Sequence, residues 1–148
     1  MALGKERKRA WVSLVVAHLH LVDAVSRRMD DAGVVPWESY GVLLALEEAD
    51  DGHLRLGELA RAIGLTPSGA TRLVDRLEKL GYVERVVCPT DRRAVHAQIT
   101  AEGRVARAVA WPVYEAAIDA VFGLSEADAA TVADLLRPVT GDRPLVGV

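Results

Sequence analysis

The chain has a single cysteine, Cys88, and that scarcity closes two routes: no internal disulfide can form and no thiolate zinc site can be assembled. No apolar run approaches the roughly 20 residues that span a bilayer. The basic start, Lys5-Glu6-Arg7-Lys8-Arg9, leads into an amphipathic pattern and not into the apolar stretch of a signal peptide. A cytoplasmic protein without a membrane partner is therefore expected. Catalytic sets are missing too. There is no metal-binding HExxH pair, no phosphate-cradling glycine loop and no spacing that suits a catalytic triad, so neither an enzyme nor a cofactor is expected. The four histidines offer no metal site: His18 and His20, two apart on a helix, point to different sides, while His53 and His96 are isolated in sequence. Cys88 reads as a small inert side chain, since nothing in the sequence lowers its pKa.

What is present is a chain of 148 residues, 51% hydrophobic, long enough to bury a core as one domain spanning residues 1–148. The net charge of −3 argues weakly against a nucleic-acid partner, but its distribution argues the other way. Between Arg55 and His96, eight Lys or Arg face five Asp or Glu, a local +3, which leaves ten against sixteen elsewhere. Positive charge is concentrated where phosphate contacts would be needed.

That basic segment lies within the most informative stretch, Leu56 to Gly103. Apolar positions 56, 59, 60 and 63 predict a short helix closed by Gly64. Thr66 as N-cap and Pro67 at the first helical position open a second helix, which runs to Gly81. Its residues Ala70, Leu73, Val74, Leu77 and Leu80 make an apolar stripe, and Ser68, Arg72, Asp75, Arg76 and Lys79 face the other way. The runs Tyr82–Val87 and Ala94–Ile99 read as paired strands joined by the polar turn Cys88–Arg93. Two helices and a β-hairpin make a helix-turn-helix with a wing.

Order and residues together resemble the MarR-type winged-helix transcription regulators. The resemblance is carried by Gly57-Glu58-Leu59-Ala60, by Arg72-Leu73-Val74-Asp75-Arg76-Leu77-Glu78, by Leu80-Gly81-Tyr82-Val83-Glu84-Arg85, and by Asp91-Arg92-Arg93 followed by Ile99-Thr100-Ala101-Glu102-Gly103. It covers about a third of the chain closely. The flanks match only in layout, and the second helix opens with Val35-Pro36-Trp37 where the family often has Ser or Thr. The resemblance implies a mainly α, α+β winged-helix fold flanked by long dimerisation helices. Residues 36–100 would form the DNA-binding lobe, and 1–35 with 101–148 the dimerisation lobe. It implies a homodimer that binds a near-palindromic site on double-stranded DNA, with repression as the family default. Arg72 and Arg76 would contact base edges or phosphate, with Ser68 and Thr71 beside them. Arg92 and Arg93 would reach the minor groove from the wing. Asp91 would be a structural partner of Arg76 or Arg93, since phosphate repels a carboxylate. A winged helix used only for protein interaction is the alternative reading.

The flanking segments suggest why a second copy is needed. Trp11, Leu14, Val15, His18, Leu19, Val22, Val25 and Met29 give a first helix from about Lys5 to Ala32, longer than a small winged helix needs for its own core. Pro36 opens a second helix with Trp37, Tyr40, Leu43 and Leu44 inward, and His53–Leu56 reads as an edge strand of the wing sheet. Thr100 caps a helix running to Phe122 that is apolar on nearly every side, with Pro112 kinking it near Ala108. Such a helix requires cover on all sides, and this chain is too short to supply it, which points to Trp11, Val109, Val113 and Ile118 as interface residues. A last helix begins with the capping box at Ser125 and stops at Pro138, followed by a tail, Val139–Val148, either frayed or laid on the interface.

MarR-type proteins bind small, often aromatic, acidic effectors in the crevice between their lobes. Trp37 and Tyr40 lie one turn apart and His18 lies on the stripe of the first helix, so the three would converge on such a pocket if those helices pack together. Otherwise all three simply fill the core. The family's peroxide sensors carry their reactive cysteine in the first helix, where this chain has none.

Overall fold

In a computed structural model of the chain, residues 3–88 and 90–140 are described, the side chain of Arg92 excepted. From residue 141 onward the tail lies outside the described residues. Six α-helices and three strands follow one another as α1 (Lys5–Asp31), α2 (Trp37–Glu48), β1 (His53–Arg55), α3 (Leu56–Ala62), α4 (Pro67–Lys79), β2 (Val83–Cys88), β3 (Asp91–Ile99), α5 (Ala101–Phe122) and α6 (Glu126–Thr140). The fold is mostly helical with a small antiparallel sheet in the order β1-β3-β2. No helix among the described residues is long and apolar enough to cross a membrane.

Glycine sets the helix ends that build the helix-turn-helix. After α3, Gly64 (φ 69°) turns left-handed while its N–H bonds to the Arg61 carbonyl and that of Leu65 to the Ala60 carbonyl. After α4, Gly81 (φ 76°) repeats the arrangement, with Tyr82 N–H on the Leu77 carbonyl at 2.9 Å. The last turn's carbonyls are thereby satisfied and the chain reverses within two residues. At the other end of α4, the Thr66 side chain accepts from the Gly69 N–H at 3.1 Å, and Pro67 follows where a missing donor is harmless.

The helix buried on nearly all sides is α2. Val42, Leu43, Ala45 and Leu46 enter a core shared with Leu59, Leu73, Val74, Leu77, Val83, Ala97 and Ile99, which ties α3, α4 and the sheet together. Tyr40 and Leu44 enter a second core with Val25 and Met29 of α1 and Ala110 and Ala117 of α5. Each of these leucines contributes about 1.5–3 kcal/mol by leaving water. By contrast α5, expected to require cover all round, is covered within this chain on one side only: Gly103, Ala110 and Ala117 are buried, and Val105 and Val109 are open. It runs from Ala101 to Phe122 without interruption through Pro112.

Two sequence expectations are corrected. Helix α6 does not stop at Pro138 but continues to Thr140. The proline removes the N–H that would reach the Asp134 carbonyl, and two residues on the Thr140 hydroxyl shares its single donor between the carbonyls of Leu136 and Arg137. The wing strands also depart from their apolar runs, β2 shifted by one residue to end at Cys88 and β3 lengthened to start at Asp91, so Arg92 and Arg93 belong to β3 and not to a six-residue turn. Pairing passes from Val87↔Val95 to Cys88↔Asp91, and the intervening β3 residues are taken up in a bulge.

Helix α5 joins the wing through one close approach. The Thr100 hydroxyl donates to the Gly81 carbonyl at 2.6 Å, the Thr100 N–H to the Tyr82 carbonyl at 3.1 Å, and Gly103 lies so near that carbonyl that an added Cβ would overlap its oxygen. Gly103→Ala should therefore destabilise the fold by about 1–3 kcal/mol in urea denaturation, through overpacking against backbone. Gly57→Ala, in a helix with open space around it, should be neutral or stabilising by up to about 1 kcal/mol. Equal effects of the two changes would refute the close approach.

Candidate nucleic-acid interface and apolar cavity

Helix α4 divides its residues cleanly. Ala70, Leu73, Val74 and Leu77 are buried, which fixes the helix by its inner face and leaves Ser68, Arg72, Arg76 and Lys79 exposed on the outer one. Leu80, expected on the apolar stripe, is open instead, because the helix has ended and the chain turns away at Gly81. Arg72, Arg76 and Lys79 form no ion pair among the described residues. Thr71 is half-buried and its hydroxyl donates back to the Pro67 carbonyl at 3.0 Å, so that donor is already committed. The Ser68 hydroxyl lies 3.3 Å from that of Thr66.

The two carboxylates of α4 share one partner. Asp75 and Glu78 are both paired with Arg85 of β2, whose guanidinium forks between them while its backbone N–H donates to Glu78 at 3.3 Å. The hydrogen bond to Asp75 raises the Arg85 pKa most, and burial opposes it. Asp75 had read as part of the outer polar face alongside Arg72 and Arg76, and nothing in the periodicity pointed to Arg85 as its partner. The fork does two things. It ties α4 to the wing, and its single positive charge offsets one of the two negative charges beside Arg72 and Arg76.

On the wing, Arg93 is exposed, and its backbone N–H donates to the Asp91 carboxylate at 3.1 Å, which steadies the bulge. Arg92 is in β3, and its side chain lies outside the described residues. The Cys88 pKa is lowered, chiefly by the Thr90 hydroxyl beside its sulfur and then by backbone hydrogen bonds with Thr90 and Asp91. The two histidines that are isolated in sequence meet across β1 and β3: His53 and His96 stack with ring centroids 4.9 Å apart, and His96 is buried with its Nε2 unpartnered. No group of three or more His, Cys, Asp or Glu among the described residues is placed to hold a metal ion.

The expected effector trio comes together only in part. Trp37 stacks on Tyr114 at 5.7 Å and Tyr40 lies against the same ring at 4.6 Å, so Tyr114 of α5 is the partner that sequence spacing missed. Trp37 and Tyr114, with Leu21, Val22, Val25, Ile118, Val121 and Phe122, wall an apolar cavity of about 200 Å³. Tyr40 is buried behind it, its hydroxyl pKa raised by burial against the opposing pull of Arg107. His18 is exposed on α1 and does not line the cavity. The α1 helix reaches the second core only from Val25 onward, so His18 lies almost two turns before that contact.

The expected interface residues also divide. Trp11 is 67% exposed and Val109 59%, whereas Val113 and Ile118 are half-buried within their own chain. Every residue of α1 from Lys5 to His20 is exposed, including Leu14, Val15, Val16 and Leu19.

Residues 35–94 match the family model described as MarR family. Over 61 residues the chain is 39% identical to the transcriptional repressor MprA of Escherichia coli K12, covering 41% of this chain and 35% of that one. The match spans about a third of that relative's length. Solved structures extend the likeness to the whole fold. Sco3205, a MarR family transcriptional regulator from Streptomyces coelicolor in complex with DNA, has a TM-score of 0.85 at 29% identity, over 97% of this chain and 96% of that one. CouR from Rhodococcus jostii RHA1, bound to p-coumaroyl-CoA, has a TM-score of 0.74 at 29% identity, over 95% and 97%.

Arg85→Gln should leave the chain folded but lower its stability by about 1 kcal/mol, the worth of a partly exposed ion-pair network. Amide exchange should quicken in β2 and at the C-terminal end of α4 together. Unchanged exchange in both would remove the fork as a tie between helix and wing.

Proposed function

On the premise that this is a MarR-type winged-helix chain, we propose that it is a homodimeric transcription regulator that binds a near-palindromic duplex site and acts as a repressor released by a small aromatic or acidic ligand. The observation that carries this reading is the outer face of α4, where Arg72 and Arg76 are exposed and form no ion pair with a described residue, while both neighbouring carboxylates are bound to Arg85. Unpaired arginines on an exposed helix face suit base edges and phosphate. Ser68, Thr71 and the wing arginines Arg92 and Arg93 complete the contact, with Asp91 holding the wing in shape. Residues 36–100 act as the DNA-binding lobe of a single domain, and 1–35 with 101–148 as the lobe that pairs two copies. Pairing sets two α4 helices one helical turn of DNA apart, about 34–36 Å.

The ligand is assigned to the apolar cavity walled by Trp37 and Tyr114, with Tyr40 behind them, and a planar aromatic group fits those rings. His18 is left without a direct part in it.

Arg72→Ala should weaken binding to the specific site by about 1–3 kcal/mol and non-specific duplex by less. Equal losses on both duplexes at one salt concentration would restrict Arg72 to phosphate. Replacing Arg92 and Arg93 together by alanine should flatten the slope of log affinity against log salt, because fewer counterions are released. If no duplex, specific or random, binds with salt-dependent affinity, the regulator reading falls and a protein-interaction module takes its place.

Val109 is exposed in the single chain, so Val109→Asp should leave each protomer folded and break association. Sedimentation should then show a monomer with unchanged helical content. A folded monomer for the unmodified chain would remove the dimer.

A further inference from the structure

The charge around the apolar cavity narrows what it can hold. Its walls are aliphatic side chains from α1 and α5, closed by the rings of Trp37, Tyr114 and Phe122, and no charged side chain among the described residues lines them. The polar groups that these side chains bring are the Trp37 indole N–H and the Tyr114 hydroxyl. Burial raises the Tyr114 pKa and the neighbouring Tyr40 adds to the rise, so that hydroxyl meets an occupant in its neutral form.

What surrounds the walls is negative. Interleaved with the lining residues are Asp23 on α1, Glu115 and Asp119 on α5, and Glu38 beside Trp37, all of them exposed. Asp23 is matched by Arg27, whereas α5 has no basic residue between Tyr114 and Phe122. Ile118, Val121 and Phe122 also belong to the C-terminal end of α5, where the peptide dipoles turn their negative ends outward. The start of α2 at Trp37 is a positive feature, and Glu38 already stands in that first turn. His18, the cation expected to meet an acid, lies outside the cavity.

A carboxylate entering here would leave water for walls that offer no counter-charge, a loss that ring contacts do not return. An ammonium group would meet the same desolvation, and the carboxylates outside the walls stand in water, which screens them. An uncharged ring meets neither penalty. Apolar cavities of about 150 Å³ take up benzene, and this one, of about 200 Å³, has room for a benzene ring with a small substituent.

We propose that the cavity takes an uncharged compound of one aromatic ring with small substituents and discriminates against aromatic acids of the same size. The inference rests on the assignment of the ligand to this cavity, and narrows its class from aromatic or acidic to aromatic and uncharged.

The test uses the unmodified chain without DNA. Equilibrium dialysis compares para-methylbenzyl alcohol, para-methylbenzoate and para-methylbenzylamine, which share a ring and differ in charge. The alcohol should bind, and both ions at least about tenfold more weakly at neutral pH. As the pH is lowered from about 8 to about 6.5, affinity for the acid should rise about tenfold per unit, in step with its neutral fraction, while affinity for the alcohol stays level. Val22→Trp on α1 and, separately, Val121→Trp on α5 fill the space from two sides, and either change should abolish alcohol binding. The comparison of charges needs no substitution, so it stands even where a filled variant does not fold. The inference is overturned by a carboxylate or amine held as tightly as the alcohol, by an acid whose affinity ignores pH, by alcohol binding that survives both filling changes, or by no binding of any of the three. None of these results touches duplex binding, so the ligand class and the regulator reading fail separately.

Discussion

One guanidinium, that of Arg85, settles two problems that a helix and a hairpin pose when they must present a common surface. A three-stranded sheet with one short edge strand has little burial with which to hold its distal end, and α4 carries two carboxylates near its outward face. By taking Asp75 and Glu78 at once, Arg85 fastens β2 to α4 and offsets one of the two negative charges beside Arg72 and Arg76. Apolar packing alone could do the first and not the second. The ion pairs are partly exposed and individually modest, so their value lies in geometry and local charge more than in stability.

The fold was largely legible because its punctuation is local. Gly33, Gly64 and Gly81 end three helices, Thr66 with Pro67 and Thr100 begin two, and each signal acts over a few residues that are adjacent in sequence. The reading failed where partners are distant or where one signal was weighted too heavily. Arg85 is ten residues from Asp75 and was counted only as part of a basic segment. His53 and His96 are isolated in sequence yet stack, because strand register, which periodicity does not give, pairs His53 with Gln98 and so brings His96 diagonally beside it. Pro138 reads as a stop, yet it lies two residues from the end of α6, where few helical hydrogen bonds follow it.

The aromatic cluster was legible in part. Trp37 and Tyr40, one turn apart, do face a common ring, but the ring is Tyr114, contributed by a helix more than sixty residues later. His18 lies on the same stripe as Val25, yet only the second half of α1 meets the rest of the chain. Periodicity shows which side of a helix is apolar, and says nothing about how far along its length the cover extends. The same gap applies to α5, whose apolar circumference was correctly seen while the centrally buried helix proved to be α2.

The division of labour along α4 has an evolutionary side. Its inward residues, Ala70, Leu73, Val74 and Leu77, carry the packing, and its outward residues, Ser68, Arg72, Arg76 and Lys79, carry almost none. Exposed helix positions of this kind accept most side chains at a cost of a few tenths of a kcal/mol. The outward set can therefore be rewritten, one position at a time, while the scaffold beneath it stands still. A lineage built on this chain is free to change what that face presents without passing through an unfolded ancestor.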